Sequence, residues 1–222
     1  MKKVGLAGIV GLLVLLFSGT AFANLDDNRA AMAQKYGDYR LVIDTDNQLW
    51  TRADWEAKGH LRAKASSYMY SFERQGLVVQ MEVMYNGDAP ASLVRAQRFT
   101  PATSVKISDF KKYFPEVFNL AVTPKAIAFT SYDEITRNFQ EPQSPVRMGI
   151  VVKAAGKGSY STLLAFNILD EGRLVKDVRY INQETMVREF TIESISPMRV
   201  NDNLNPQTGE WQPLTNYFTG RN

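Results

Sequence analysis

Two arginines interrupt the apolar pattern of strand-like segments, and they are the residues of this sequence best suited to ligand binding. Arg188 alternates with Phe190 and Ile192, and Arg95 falls in the same phase as Phe99. A guanidinium on a buried face is costly unless it is paired. Each arginine is therefore expected to reach the sheet edge, to pair internally, or to line a polar pocket.

The pocket alternative predicts a ligand site that combines both arginines with tyrosines of other strand-like segments. Guanidinium groups form charge-assisted hydrogen bonds with carboxylates, and tyrosines add an apolar body with a polar tip. The predicted ligand is a carboxylate or a sugar. The predicted site residues are Arg95, Arg188, Tyr68, Tyr70 and Tyr180.

The sequence excludes several kinds of catalytic centre. It contains no cysteine, so thiol nucleophiles, thiolate metal sites and redox pairs are absent. Its single histidine, His60, excludes zinc sites built from several histidines, and no G-x-S-x-G turn presents a serine. His60 follows a helix-like segment among cations, which predicts a solvated residue or a contact with the helix C-terminus. No cofactor and no metal are predicted.

Carboxylates leave one enzymatic alternative, because a glycosidase needs only two well-placed Asp or Glu side chains. The strand carboxylates Glu82 and Glu189 fall on the less apolar faces and are expected to be solvated. The stretch DTDNQ from Asp44 starts like a calcium loop, but Leu49 stands where the loop needs glycine. That stretch and NDNLN from Asn201 are better explained as Asx turns.

The N-terminus has the layout of a secretory signal peptide. Lys2 and Lys3 precede the apolar run 4–17, and Ala21 and Ala23 give an A-x-A cleavage pattern. Fourteen residues form a helix of about 21 Å, which is shorter than a hydrocarbon core of about 30 Å. The prediction is cleavage after Ala23 and a periplasmic or secreted bacterial protein; a retained anchor is the alternative.

The charge and length of the chain after the predicted signal peptide are typical of one globular domain. Lys2 and Lys3 belong to the leader, so 24 of the 26 Lys and Arg residues remain against 23 Asp and Glu. A net charge this close to zero does not indicate nucleic-acid binding. The predicted organisation is a signal peptide (1–23), a single α+β domain (24–195) and an irregular C-terminal tail (196–222), with no membrane span after cleavage.

The local patterns predict two strand-rich blocks around a helical middle. The first block opens with a short helix ending at Gly37 and a second one capped by Thr51, followed by SYMYSFER, LVVQMEVMYN and LVRAQRF as strands. The middle contains a helix from Ser108, bent at Pro115, and another from Ser131. A four-stranded meander of VRMGIVVKA, SYSTLLAFNILD, RLVKDVRYI and MVREFTIESI follows.

Short hairpin connections predict a largely antiparallel sheet of hairpins and meanders, hence the α+β class. The expected function is an exported, non-enzymatic cell-envelope or secreted protein that binds a small ligand, a glycan or an envelope protein. The alternative is a carboxylate-dependent hydrolase acting on envelope polymers. A third possibility is a structural partner whose tail docks onto another subunit.

Overall fold

A computed structural model describes residues 25–124, 126–132, 146–152, 161–170, 173–174, 181–195, 211–213 and 216–219. In these ranges twelve strands form one sheet, accompanied by α-helices and short 3-10 turns. Every described strand pair is antiparallel. The predicted α+β class is therefore confirmed. No helix within these ranges is long and apolar enough to cross a membrane.

The sheet has the order β12-β7-β8-β9-β11-β5-β4-β3-β1-β2, with β10 beside β9 and β6 beside β11. Consecutive hairpins build most of it, while the β11–β5 pair joins the two halves of the chain. The strands are β1 (Leu41–Asp44), β2 (Leu49–Thr51), β3 (Ala65–Arg74), β4 (Leu77–Tyr85), β5 (Val94–Pro101), β6 (Val105–Lys106), β7 (Ala126–Tyr132), β8 (Val146–Val152), β9 (Ser161–Asp170), β10 (Arg173–Leu174), β11 (Met186–Ile195) and β12 (Trp211–Pro213).

The β3–β4 hairpin shows how local sequence fixes register and burial. Gln75 and Gly76 have φ of 49° and 80°, which a two-residue turn of the primed type requires. Along β4, the alternate residues from Leu77 to Val83 are buried and pack in the core. We call this side of the sheet the inner face and the opposite side, which carries Val78 and Gln80, the outer face.

Four short α-helices lie in the described chain: α1 (Arg29–Tyr36), α2 (Arg52–Ala57), α3 (Phe110–Tyr113) and α4 (Pro115–Ala121). Gly37 and Thr51 act as predicted at the first two, and the structure adds an N-cap at Asn28. Asn28 accepts a hydrogen bond from the Ala31 amide at the start of α1, and Gly37 ends it with φ of 78°. Thr51 accepts one from the Asp54 amide at the start of α2. The predicted bend at Pro115 separates α3 from α4.

Aromatic side chains pack α1, α3 and α4 onto the inner face. Tyr36 of α1 lies with its ring centroid 4.8 Å from that of Phe72 on β3. Phe110 and Phe114 contact Phe190 of β11 at 5.3 and 4.8 Å between centroids. Phe218, near the C-terminus, packs 5.3 Å from Phe110. The helices therefore cover the inner face and the core lies between them and the sheet.

The structure corrects the predicted middle of the chain. The segment 126–132 is strand β7, so Ser131 pairs with Arg147 in a β-ladder and does not start a helix. The remainder of that predicted helix lies outside the described residues. Ser108 is not a helix cap either, since Asp109 precedes α3 and no side chain caps it. A short apolar run such as AIAFTSY is compatible with both a helix and a strand, and pairing with β8 decides between them.

The last block also differs in detail from the predicted four-stranded meander. Of the predicted strand RLVKDVRYI, the described residues include β10 (Arg173–Leu174) and Ile181, and β11 pairs directly with β9 along Met186–Ile195. Part of the C-terminal segment belongs to the fold, because β12 adds to the edge at β7 and Phe218 is 5% exposed. The other residues of the segment 196–222 lie outside the described ranges.

Candidate functional site

The outer face has an open pocket of about 490 Å³ where β4 and β5 approach β11. One cation, one amide and two hydroxyl groups line it together with three small apolar side chains. Such a mixture of convergent polar groups and apolar surface is typical of small-ligand sites. The lining residues are Val78, Gln80, Thr100, Pro101, Ala102, Ser104 and Arg188.

A β-bulge brings Arg188 to this pocket. Val187 pairs with Ile168 and Glu189 pairs with Asn167, so Arg188 is an extra residue without a partner on β9. An extra residue shifts the alternation of the strand by one position. Val187 is therefore buried and Arg188 exposed, and the predicted placement of Arg188 on an apolar face is wrong.

Arg188 is also free to bind a ligand. Within the described part of the chain, no hydrogen bond or ion pair occupies its guanidinium, and none occupies the side chains of Gln80, Thr100 or Ser104. Val78, which is 46% exposed, adds an apolar wall. A guanidinium can donate two parallel hydrogen bonds to the carboxylate of a ligand. The neighbouring amide and hydroxyl side chains can hydrogen-bond hydroxyl groups of the same ligand. The pocket thus matches an acidic ligand that also carries hydroxyls.

Glu82 and Glu189, the carboxylates considered for hydrolysis, form ion pairs with an arginine on the outer face. Arg98 lies between them, with Nη1 3.1 Å from Glu82 and Nε 3.7 Å from Glu189. The Ser67 hydroxyl also donates to Glu82, and the Asn167 amide donates to Glu189. The Glu82 side chain is only 15% exposed, so the expectation that it is solvated is wrong. Neither carboxylate lines the Arg188 pocket.

Arg95 occupies a second β-bulge, at the other end of β5. Met84 pairs with Ala96 and Tyr85 with Val94, which leaves Arg95 as the extra residue. Its side chain is exposed and donates a hydrogen bond from Nη2 to Met84 Sδ at 3.8 Å. Pro101 of the pocket lies six positions further along the strand, a distance of roughly 20 Å. The structure therefore does not bring Arg95 and Arg188 together.

Tyr68 and Tyr70 lie on the inner face, away from both predicted arginines. Their rings contact Tyr39 at 5.0 and 6.4 Å between centroids, and the Tyr70 hydroxyl hydrogen-bonds that of Tyr85 at 3.0 Å. Burial raises the pKa of Tyr68, Tyr70 and Tyr85 above the usual tyrosine range. Tyr180, the fifth predicted residue, lies outside the described ranges.

The cation that accompanies these tyrosines is Arg29, which strand patterns could not reveal because it lies on α1. Its Nη1 donates to the Tyr68 hydroxyl at 2.9 Å, and its guanidinium carbon is 5.0 Å from the centroid of that ring. The other nitrogen donates to the backbone carbonyl of Asp88. The available signal was helical spacing: Arg29, Met32 and Tyr36 share one side of a short helix.

Two other predicted positions have structural roles. Asp44 accepts hydrogen bonds from the amides of Asp46 and Gln48 and from the indole of Trp50, which confirms an Asx turn. The exposed His60 shares a hydrogen bond of 2.9 Å between Nδ1 and the carbonyl oxygen of Trp55, near the end of α2, as the helix-end prediction requires. The described residues contain no group of carboxylates and imidazoles able to hold a metal ion.

The fold and site define a class: an antiparallel α+β protein with helices on one face of its sheet and an open arginine pocket on the other. Comparison with known protein families, curated proteins and solved structures gave no match. The functional argument therefore depends on the chemistry of the described residues.

Proposed function

We propose that the chain is an exported, non-enzymatic protein of the cell envelope or its surroundings that binds an acidic small molecule or glycan on its outer face. One observation carries the proposal: the Arg188 guanidinium has no described partner and stands among hydrogen-bonding side chains in an open pocket. A charge without a partner is available to a carboxylate, whereas the charge of Arg98 on the same face already has carboxylates beside it.

The proposed export rests on the N-terminal sequence, and the first contacts of the described chain lie after the predicted cleavage bond. Leu25 packs against the core, and the carbonyl of Asp27 accepts a hydrogen bond from the Val94 amide at 2.8 Å. Cleavage between Ala23 and Asn24 removes neither contact.

Titration with glucuronate, and with glucose as the neutral comparison, tests the binding proposal. The protein is purified from its own extracytoplasmic fraction, where its intact mass should begin at Asn24. We expect glucuronate to bind and Arg188→Gln to weaken binding by about 10- to 100-fold, since a hydrogen bond to a charged group contributes about 1.5–3 kcal/mol. Isothermal titration calorimetry or ligand-observed NMR measures the change.

Arg95→Gln is the matched control, because Arg95 is also an exposed bulge arginine of the same sheet. We expect this variant to bind glucuronate like the unmodified protein. An equal loss in both variants would indicate nonspecific attraction by positive charge, and no binding of glucuronate would reject an acidic sugar as the ligand. A mass that retains Met1 would contradict cleavage.

A further inference from the structure

Three buried side-chain atoms in the described chain have no hydrogen-bond partner: Arg29 Nε, Tyr36 Oη and Gln97 Oε1. Their number is ordinary, since folded proteins contain a few such atoms per hundred residues. Their placement is not scattered. Arg29 and Tyr36 belong to α1, and Gln97 contacts Met32 of α1. Unsatisfied polar groups are thus concentrated where α1 covers the inner face.

Gln97 is the most deeply buried of the three. It is fully buried between Val83 of β4 and Ile192 of β11, which are fully buried themselves. Its Nε2 donates only to Met32 Sδ, at 3.6 Å, and thioether sulfur is a weak acceptor. Its Oε1 accepts no hydrogen bond. Both halves of the carboxamide are therefore available to a better partner, and a second amide can satisfy both at once.

Besides the hydrogen bond from Arg29 to Tyr68, α1 contacts the sheet through few buried side chains. The helix has eight residues, of which only Met32 and Tyr36 are buried. A helix this short is not stable without packing, so it depends on those contacts. Tyr36 is 8% exposed with its hydroxyl unpaired, and burial raises its pKa to about 12. Local opening begins where buried contacts are few, which makes α1 an element that can leave the sheet without global unfolding.

An apolar strip lies along the contact line of α1. Arg29 contacts Tyr68 and Tyr36 contacts Phe72, so the helix follows β3 between these two positions. Four residues of strand span about 13 Å. The strip is formed by cross-strand pairs of β3 and β4, namely Tyr68 with Val83, Tyr70 with Met81 and Phe72 with Val79. Its length and composition suit an alkyl chain, and Gln97 lies beside its Val83 end.

We propose that α1 is a displaceable cover over a second binding site, and that this site takes a fatty acyl amide. The acyl chain lies along the β3–β4 strip in place of Met32 and Tyr36, and the amide head pairs with the carboxamide of Gln97. The site is on the inner face, opposite the Arg188 pocket. It does not depend on the function proposed above.

Hydrogen–deuterium exchange on the mature protein, with decanamide as the probe, tests the cover and the site together. We expect the α1 amides to exchange at least about tenfold faster than those of β4, because they open locally. Decanamide should speed α1 exchange further and leave β4 unchanged. Gln97→Leu should slow α1 exchange several-fold and weaken decanamide binding at least about tenfold, since it removes the unsatisfied group and the amide partner.

Two further variants separate this mechanism from a general change in stability. Tyr36→Phe removes only the unpaired hydroxyl and should also slow α1 exchange. Gln34→Leu makes the same chemical change as Gln97→Leu on the exposed side of α1 and should leave decanamide binding unchanged. The proposal is wrong if α1 and β4 exchange at equal rates, if decanamide does not bind, or if Gln97→Leu binds it as well as the unmodified protein does.

Discussion

The Asp44 side chain holds the turn between β1 and β2 in shape. Asp44 uses both carboxylate oxygens inside the protein, and the Trp50 indole, followed by the turn amides, holds the pKa of the Asp44 carboxyl below its usual range. A lowered folded-state pKa contributes stability above the unfolded pKa of about 3.9, and this stability is lost as pH falls through the folded value. The turn should therefore be sensitive to acid.

We expect Asp44→Asn to lower the urea midpoint at pH 7, because an amide cannot accept all three hydrogen bonds as an ion does. The difference from the unmodified protein should begin to shrink below about pH 4, where the unfolded chain takes up the proton, and should shrink further as pH falls through the lowered pKa of the folded protein. Asp46→Asn, at an exposed position two residues further on, is the control and should change the urea midpoint little. An Asp44→Asn difference of the same size at pH 3 and pH 7 would show that charge has no role.

At the level of secondary-structure elements, the sequence predicts those that depend on neighbouring residues better than those that depend on pairing with a distant strand. Thr51, Gly37 and the strands β3 to β5 could be assigned from their neighbours in sequence. β7 could not, because pairing with β8 overrides its local pattern. The bulges at Arg95 and Arg188 were missed for a similar reason: an extra residue is visible only against the partner strand.

One ion pair fastens the β3–β4 hairpin to α4. Arg74 of β3 binds Glu116 of α4, and their side chains are 18% and 6% exposed. It also donates to the Tyr113 carbonyl at 3.3 Å. Removing one charge of a buried pair leaves the other in a poorly solvated place, which costs about 3–5 kcal/mol. This contact should therefore matter far more than the ion pairs at the surface.

We expect Glu116→Gln to lower the free energy of unfolding by about 3 kcal/mol in urea titration, because the Arg74 charge stays buried. Glu56→Gln breaks the exposed Arg52–Glu56 pair of α2 and should cost less than about 1 kcal/mol. Similar losses in both variants would mean that burial does not distinguish the two pairs.

For the molecule as a whole, one inner-face core joins segments that are distant in sequence. Phe218, near the C-terminus, contacts Phe110 from the helical middle and Phe166 from β9, with centroids 5.3 and 5.1 Å away. Asn216 adds a hydrogen bond of 2.6 Å to the Ala121 carbonyl. The partners of Phe218 follow only from how the sheet folds the chain, so local sequence could not predict them.

Phe218→Ala tests whether this C-terminal contact stabilises the whole protein. Truncating a buried phenylalanine removes its apolar contacts and leaves a cavity, so the free energy of unfolding should fall by about 3–5 kcal/mol. Leu61→Ala, at a side chain that is 76% exposed, should change it by less than about 0.5 kcal/mol. Urea unfolding followed by tryptophan fluorescence and by circular dichroism should give one shared transition at a lower midpoint. A midpoint left unchanged by Phe218→Ala would mean that the core is complete without its C-terminal segment.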